Sequence, residues 1–209
     1  MRKDVERFIQ KRLSKNEGFV QAYRDELKAL KGGQSPECYV LMCGDSRCAE
    51  TAWSGEKVEL GEVFGGPATM GNVVNDAVLA TLAFNVDHLK TKFFVVCGHT
   101  GCGAVEASMA DFSSERAILK NELEKLKADY MQVQAHSQLP ESDTVTLNVA
   151  RNVQAQVLKV LQSFEMEVAS GQLTVLGAIC DNQGVWGDEG RLYFTSINGE
   201  DCFVKGENK

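Results

Sequence analysis

Residues that could bind a metal ion stand at the ends of two apolar runs. Residues 39–42 lead into Cys43, and 93–98 lead into His99, with Cys102 close behind. Two thiolates and one imidazole suit Zn²⁺ in tetrahedral geometry, with the fourth position left to water or to the protein. Whether that fourth position is open decides whether such a site is catalytic.

The alternative to metal binding is that these cysteines only pack in the core, because free cysteines are often buried as small apolar residues. Four of the 7 cysteines lie in or beside apolar runs and are interpreted as packing residues: Cys38, Cys48, Cys97 and Cys180. Cys202 stays open. Glycine and polar residues follow Cys43, His99 and Cys102, which is typical of loops at strand ends. The odd cysteine count disfavours a disulfide framework and favours thiols in a reducing compartment.

Composition excludes several classes of protein. The 209 residues are 44% hydrophobic, which predicts one globular domain over 1–209. No apolar stretch reaches the ~20 residues of a membrane span. The net charge of −7 disfavours nucleic-acid binding. Acidic residues from position 4 onward disfavour a transit segment, so we expect a cytoplasmic protein. Location in an organelle, after removal of a transit peptide, is the alternative that stays open.

Helical and strand periods alternate along the chain. Residues 1–32 form a predicted N-terminal helical arm that ends at two glycines. An apolar helix over 73–89 connects the first strand to the strand at 93–96, which predicts a parallel βαβ unit. Helices around 114–135 and 149–164 follow, and 173–180 is the predicted final strand. The sequence therefore predicts an α/β fold, with a mostly parallel central sheet flanked by helices.

Ligands of parallel sheets gather outside the carboxyl ends of the strands, where the three candidate ligands lie. Gly103 opens a predicted helix whose free N–H groups could hold an anion beside the metal. Asp45 and Arg47, two residues apart, could pair within reach of the open metal position. A surface salt bridge of little consequence is the alternative interpretation of that pair.

These motifs resemble those of the β-class carbonic anhydrases. The segment Cys43-Gly44-Asp45-Ser46-Arg47 resembles the Cys-x-Asp-x-Arg signature of that family, and His99-Thr100-Gly101-Cys102 resembles its His-x-x-Cys motif. The segment Gln34-Ser35-Pro36 is similar to the corresponding segment in the plant-type branch of that family. The resemblance extends over 33–106 and returns over 148–181.

The resemblance implies a zinc enzyme that hydrates CO2 reversibly to bicarbonate and a proton. Zn²⁺ would be held by Cys43, His99 and Cys102, with water in the fourth place. Asp45 would accept a hydrogen bond from the zinc hydroxide, and Arg47 would hold Asp45 ionised and away from the metal.

Other residues enter through the resemblance alone. Gln34 and the backbone N–H of Gly103 would hold the substrate oxygens. Phe64 and Phe84 match positions that line an apolar CO2 pocket, with a core role as the alternative. The N-terminal helices would pack on a neighbouring subunit, giving a homodimer or a higher even oligomer.

The sequence departs from the family after Phe64. Residues 65–70 replace a segment that usually carries an arginine, and Cys180 stands where a tyrosine is common. Both residues serve a second, inhibitory bicarbonate site in some relatives, so we predict an open site with Asp45 paired to Arg47. The atypical loop leaves two alternatives: a zinc hydrolase of carbonyl sulfide or carbon disulfide, and a non-catalytic zinc protein closed by Asp45.

Overall fold

The computed structural model describes residues 2–48, 53, 55, 60–65, 68–134 and 137–206. The chain divides into two compact units, 1–35 and 36–209. The first unit ends close to the end of the predicted arm at residue 32. That the two units make one domain over 1–209 stays a prediction.

The first unit is helical, as its apolar spacing predicts. It contains α1 (Lys3–Ala22), α2 (Arg24–Ala29) and a 3-10 turn (Leu30–Gly32). The backbone of Gly33, at φ +142°, lies outside the range of most side chains and ends the helical segment. The apolar side chains of α1 are exposed, including Phe8 at 61% and Leu13 at 52%.

The second unit is built on a six-stranded sheet in the order β2-β1-β3-β4-β5-β6. The first four strands pair in parallel, and the last two pair antiparallel. Their bounds are β1 (Cys38–Met42), β2 (Val63–Gly65), β3 (Phe93–His99), β4 (Thr174–Asp181), β5 (Arg191–Ile197) and β6 (Glu200–Lys205). The prediction of a mostly parallel sheet is confirmed.

Helices lie near the predicted places after the strands, and the short α7 is an addition that was not predicted. They are α3 (Asp76–Phe84), α4 (Gly103–Met109), α5 (Ala117–Met131), α6 (Thr144–Ser163) and α7 (Glu165–Ala169). A π-helical turn (Asn85–Leu89) and Lys90, in the left-handed conformation, join α3 to β3. Asn75 and Asp143 cap α3 and α6 by accepting from backbone N–H groups. In the described part of the chain, no helix is both long and apolar enough to cross a membrane.

The main core lies between one face of the sheet and the helices. Tyr39, Leu41 and Phe94 point into it from β1 and β3, and Val149 and Val153 of α6 face them. The approach of α6 is close, because a Cβ added at Gly98 would lie 2.7 Å from Val153 Cγ2 and 3.0 Å from Val149 Cγ1. Glycine in β3 therefore sets how near α6 lies to the sheet.

The prediction that 173–180 is the final strand was wrong. β5 and β6 follow it and extend the sheet through an antiparallel hairpin. The hairpin turns at Asn198 and Gly199, with φ values of 48° and 84°. Asn-Gly between two strands is the usual sequence of a two-residue type I′ turn, so a signal for this hairpin was present in the sequence.

Candidate metal centre

The three candidate ligands meet at the carboxyl edge of β1 and β3. Cys43 follows β1, His99 is the last residue of β3, and Cys102 is the N-cap of α4. β1 and β3 pair in parallel, with Met42 opposite Cys97, so both strands end at the same edge. This pairing brings together two motifs that are far apart in the sequence.

The distances within this group suit a zinc ion. The two Sγ atoms lie 4.0 Å apart, and the ligand atoms of all three residues lie within 4.8 Å of one another. Tetrahedral zinc with sulfur at ~2.3 Å requires two sulfurs about 3.8 Å apart. All three side chains are buried.

His99 presents one ring nitrogen that has no protein partner. Its Nδ1 lies 3.1 Å from the carbonyl oxygen of Thr100, so Nδ1 carries the proton and donates it. In the neutral imidazole Nε2 then keeps its lone pair, and among the described residues it is a buried atom with no hydrogen-bond partner. A buried polar atom without a partner costs free energy, and a coordinated cation removes that cost. The residues present therefore fit a zinc ion.

The two thiols hold their protons unequally. The two thiols share a hydrogen bond, which lowers the pKa of Cys43; burial opposes this, and His99 and the backbone of Gly71 add to it. The pKa of Cys102 is raised, because its proton serves that bond. The site thus already stabilises one thiolate, which is the protonation state that a metal ligand needs.

Asp45 is held by Arg47. Asp45 Oδ1 accepts from the backbone N–H of Arg47 at 2.9 Å and from its Nε at 2.9 Å, while Oδ2 accepts from Nη2 at 2.7 Å. These bonds hold the pKa of Asp45 well below its usual range. Asp45 Oδ2 still lies 3.9 Å from His99 Nε2, which is one of the three candidate ligand atoms. The structure thus contains the predicted Asp45–Arg47 pair, and the pair lies beside the candidate metal ligands.

A row of polar residues on α6, not predicted from the sequence, holds the loop beside Cys43. Asn152 Nδ2 donates to the carbonyl oxygen of Gly71 at 2.7 Å, and Gln156 Oε1 accepts from the N–H of Val74 at 2.9 Å. Gln156 also donates to Asn152 at 3.0 Å. The spacing of four between two amides on an apolar helix was the signal available in the sequence.

The four residues predicted to bind substrate make none of the hydrogen bonds described above for the candidate metal site. Gln34 is exposed in the first unit, and Phe84, at the end of α3, is 51% exposed with its ring 5.0 Å from that of His88. Gly103 begins α4 and borders an open cavity of about 370 Å³. Phe64 lies in β2, but its side chain is outside the described part, as are residues 66–67 of the atypical loop. Their roles stay predictions.

The family is decided by a comparison with known proteins. The model of the carbonic anhydrase family matches residues 38–184. The chain belongs to the carbonic anhydrase family. The carbonic anhydrase of Emericella nidulans is 40% identical over 83 residues, which are 38% of this chain and 35% of that protein. That of Mycolicibacterium smegmatis is 38% identical over 82 residues, 39% of this chain and 38% of that protein. The matches thus span well under half of these relatives.

Solved structures place the chain in the β class of carbonic anhydrases. A Coccomyxa β-carbonic anhydrase in complex with acetazolamide aligns with a TM-score of 0.70 and 26% identity, over 86% of this chain and 83% of that chain. Tetrameric β-carbonic anhydrases from Sordaria macrospora align with a TM-score of 0.71 and 27% identity, over 95% and 99%. The resemblance to the β class is therefore confirmed at the level of the class.

Proposed function

We propose that this chain is a zinc-dependent carbonic anhydrase that interconverts CO2 with bicarbonate and a proton. The observation that carries the proposal is the buried group of Cys43, His99 and Cys102, with an ionised Asp45 held beside it by Arg47. Zinc bound by these ligands would supply hydroxide near neutral pH for attack on CO2.

Asp45 acts by orientation in this proposal. Because its pKa is held well below the usual range, Asp45 stays an acceptor and does not take up the proton itself. Its Oδ2, 3.9 Å from His99 Nε2, is near enough to accept a hydrogen bond from the nucleophile and direct its lone pair toward CO2. Arg47 engages both oxygens of the carboxylate in hydrogen bonds, which argues against a non-catalytic site closed by Asp45.

The finer assignments are part of the same proposal. Gln34 and the N–H of Gly103 bind substrate oxygens, and Phe64 and Phe84 line the CO2 pocket. The Gln34-Ser35-Pro36 segment supports a plant-type chain with an atypical loop after Phe64.

We also propose a single domain over 1–209 that forms a homodimer or a higher even oligomer in the cytoplasm. The apolar side chains that α1 leaves exposed support packing of the arm, residues 1–32, on a neighbouring subunit. The Sordaria macrospora structures that align with this chain are tetrameric.

Zinc analysis and stopped-flow CO2 hydration test the proposal, with carbonyl sulfide hydrolysis measured in parallel. We expect one zinc per chain and CO2 hydration in the wild type, and loss of both in Cys102→Ala. Cys97→Ala is the matched control, because Cys97 is an equally buried thiol in the apolar cluster on the other face of the sheet. Full zinc occupancy in Cys102→Ala would overturn the assignment of ligands, and release of sulfide without CO2 hydration would overturn the substrate.

A further inference from the structure

The turn between His99 and Cys102 is held from the neighbouring strand. The N–H of Thr100 donates to the carbonyl oxygen of Cys180 in β4 at 3.0 Å. The Thr100 hydroxyl donates to Asp181 Oδ1 at 3.0 Å and accepts from the N–H of Gln183 at 3.0 Å. Thr100 is fully buried, so each of these bonds is made out of contact with water.

Asp181 is the centre of this network. It is fully buried, and besides the Thr100 hydroxyl it accepts from the N–H of Val185 at 3.0 Å and from the N–H of Trp186 at 2.7 Å. A buried carboxylate that accepts several hydrogen bonds organises the groups that donate to it. Here the donors are the loop after β4 and the residue next to His99.

Two carbonyl groups of the held turn face the candidate site. The carbonyl of Thr100 accepts from His99 Nδ1 at 3.1 Å, which fixes the ring so that Nε2 is the nitrogen free to bind a metal. The next carbonyl, that of Gly101, accepts from Arg47 Nη2 at 3.0 Å. One short segment thus orients both a metal ligand and the arginine that holds Asp45.

Gly101 is also fixed by the same loop. Its φ of +63° favours glycine, and a Cβ added there would lie 2.5 Å from Nε2 of Gln183. The loop after β4 therefore packs directly on the turn, and Gln183 contacts it through both its N–H and its side chain.

We propose that Asp181 is a positioning residue for the metal centre, acting through Thr100 to fix the carbonyl that orients His99. The inference rests on the proposed zinc site. Groups that orient a metal-bound histidine through its second nitrogen typically change metal affinity or activity by about 10–100-fold when they are removed. Asp181 lies one step further out, and its effect reaches the site through one hydroxyl group.

Substitutions at Thr100 separate this role from packing. Thr100→Val keeps the shape of the side chain and removes the hydroxyl, whereas Thr100→Ser keeps the hydroxyl. Thr195→Val is the matched control, because Thr195 is also fully buried in the sheet and its Oγ1 has no hydrogen-bond partner among the described residues. Asp181→Asn tests the carboxylate itself, and the Thr100→Val/Asp181→Asn double variant tests whether both act together.

Two readouts are independent of catalysis. Competition with a chromophoric chelator measures the zinc affinity of each full-length variant, and the visible absorption of the Co²⁺-substituted protein reports the ligand geometry. We expect zinc affinity about 10–100-fold weaker and altered cobalt bands in Thr100→Val and Asp181→Asn. Thr100→Ser and Thr195→Val should match the wild type. The double variant should lose no more than the weaker-binding single variant, because the two substitutions break one chain of contacts.

Several results would overturn the inference. These are wild-type affinity and cobalt bands in Thr100→Val, an equal loss in Thr195→Val, or additive losses in the double variant. If Thr100→Val does not fold, Asp181→Asn is compared with Thr195→Val instead, and wild-type zinc affinity and cobalt bands in Asp181→Asn, or an equal loss in Thr195→Val, would overturn the inference. A wild type that binds zinc without hydrating CO2 refutes the proposed function alone, whereas a wild type that binds no zinc refutes both.

Discussion

Replacing Arg47 by alanine tests whether the Asp45–Arg47 pair keeps the candidate metal site open. In Arg47→Ala, Asp45 keeps the hydrogen bond from the backbone N–H of residue 47 and loses the two from the guanidinium, at 2.9 and 2.7 Å. The freed carboxylate, which already lies 3.9 Å from His99 Nε2, can then turn toward the metal position. We expect a protein that keeps its zinc and loses most of its activity.

The size of the effect follows from the exposure of the pair. Hydrogen bonds to charged groups contribute about 1.5–3 kcal/mol, but exposed ion pairs contribute only about 0.2–1 kcal/mol. The side chain of Asp45 is 20% exposed and that of Arg47 is 49% exposed, so the pair lies between these limits. A change of about 1–2 kcal/mol alters the balance between open and closed carboxylate about 5- to 30-fold.

Stopped-flow CO2 hydration on zinc-analysed protein measures the effect. The control is Arg191→Ala, because Arg191, the first residue of β5, makes a comparable two-bond pair with Asp188 of the preceding turn, at 2.9 and 2.6 Å. We expect wild-type activity in the control and about a tenth of it in Arg47→Ala. Arg47→Ala with full zinc and activity within about twofold of the wild type would refute the reasoning, since 0.4 kcal/mol is then about all that the guanidinium contributes.

Three further predictions concern stability. Gly98→Ala should lower the free energy of unfolding in urea by about 1–3 kcal/mol, because the new Cβ would lie 2.7 Å from a valine of α6, whereas Gly18→Ala, with nothing within 4 Å, should not destabilise. Asn152→Ala should cost about 1–3 kcal/mol, since it leaves the carbonyl of Gly71 without its donor at 2.7 Å; a thermal midpoint equal to that of the wild type would contradict this. The pKa of Asp45 is lowered on folding, so the stability gained from its pair is complete above the unfolded pKa of about 3.9 and is lost as the pH falls below it. The difference in unfolding free energy between the wild type and Arg47→Ala should therefore be constant from pH 5 to 8 and shrink below about pH 4; growth of the difference in acid would contradict this sign.

The amino-acid sequence by itself determined the local parts of the site. Cys43 and His99 could be identified because each follows an apolar run, and Cys102 because it lies three residues after His99 in a glycine-containing turn. The Asp45–Arg47 pair was equally accessible, since its members are two residues apart and one turn suffices to join them. Such features depend on short-range spacing and on residue chemistry, which the sequence contains directly.

The tertiary structure alone decided which distant residues meet. Cys43 and Cys102 are 59 positions apart, and only the parallel register of β1 with β3 brings their sulfurs within 4.0 Å. Thr100 and Asp181 are 81 positions apart, and their contact requires β4 to lie beside β3 with Cys180 opposite His99. Hydrogen bonds require donor and acceptor atoms about 3 Å apart, so a shift of register by one residue, roughly 3.3 Å along a strand, would break these contacts. Sequence spacing does not contain that register, because packing across the whole sheet sets it.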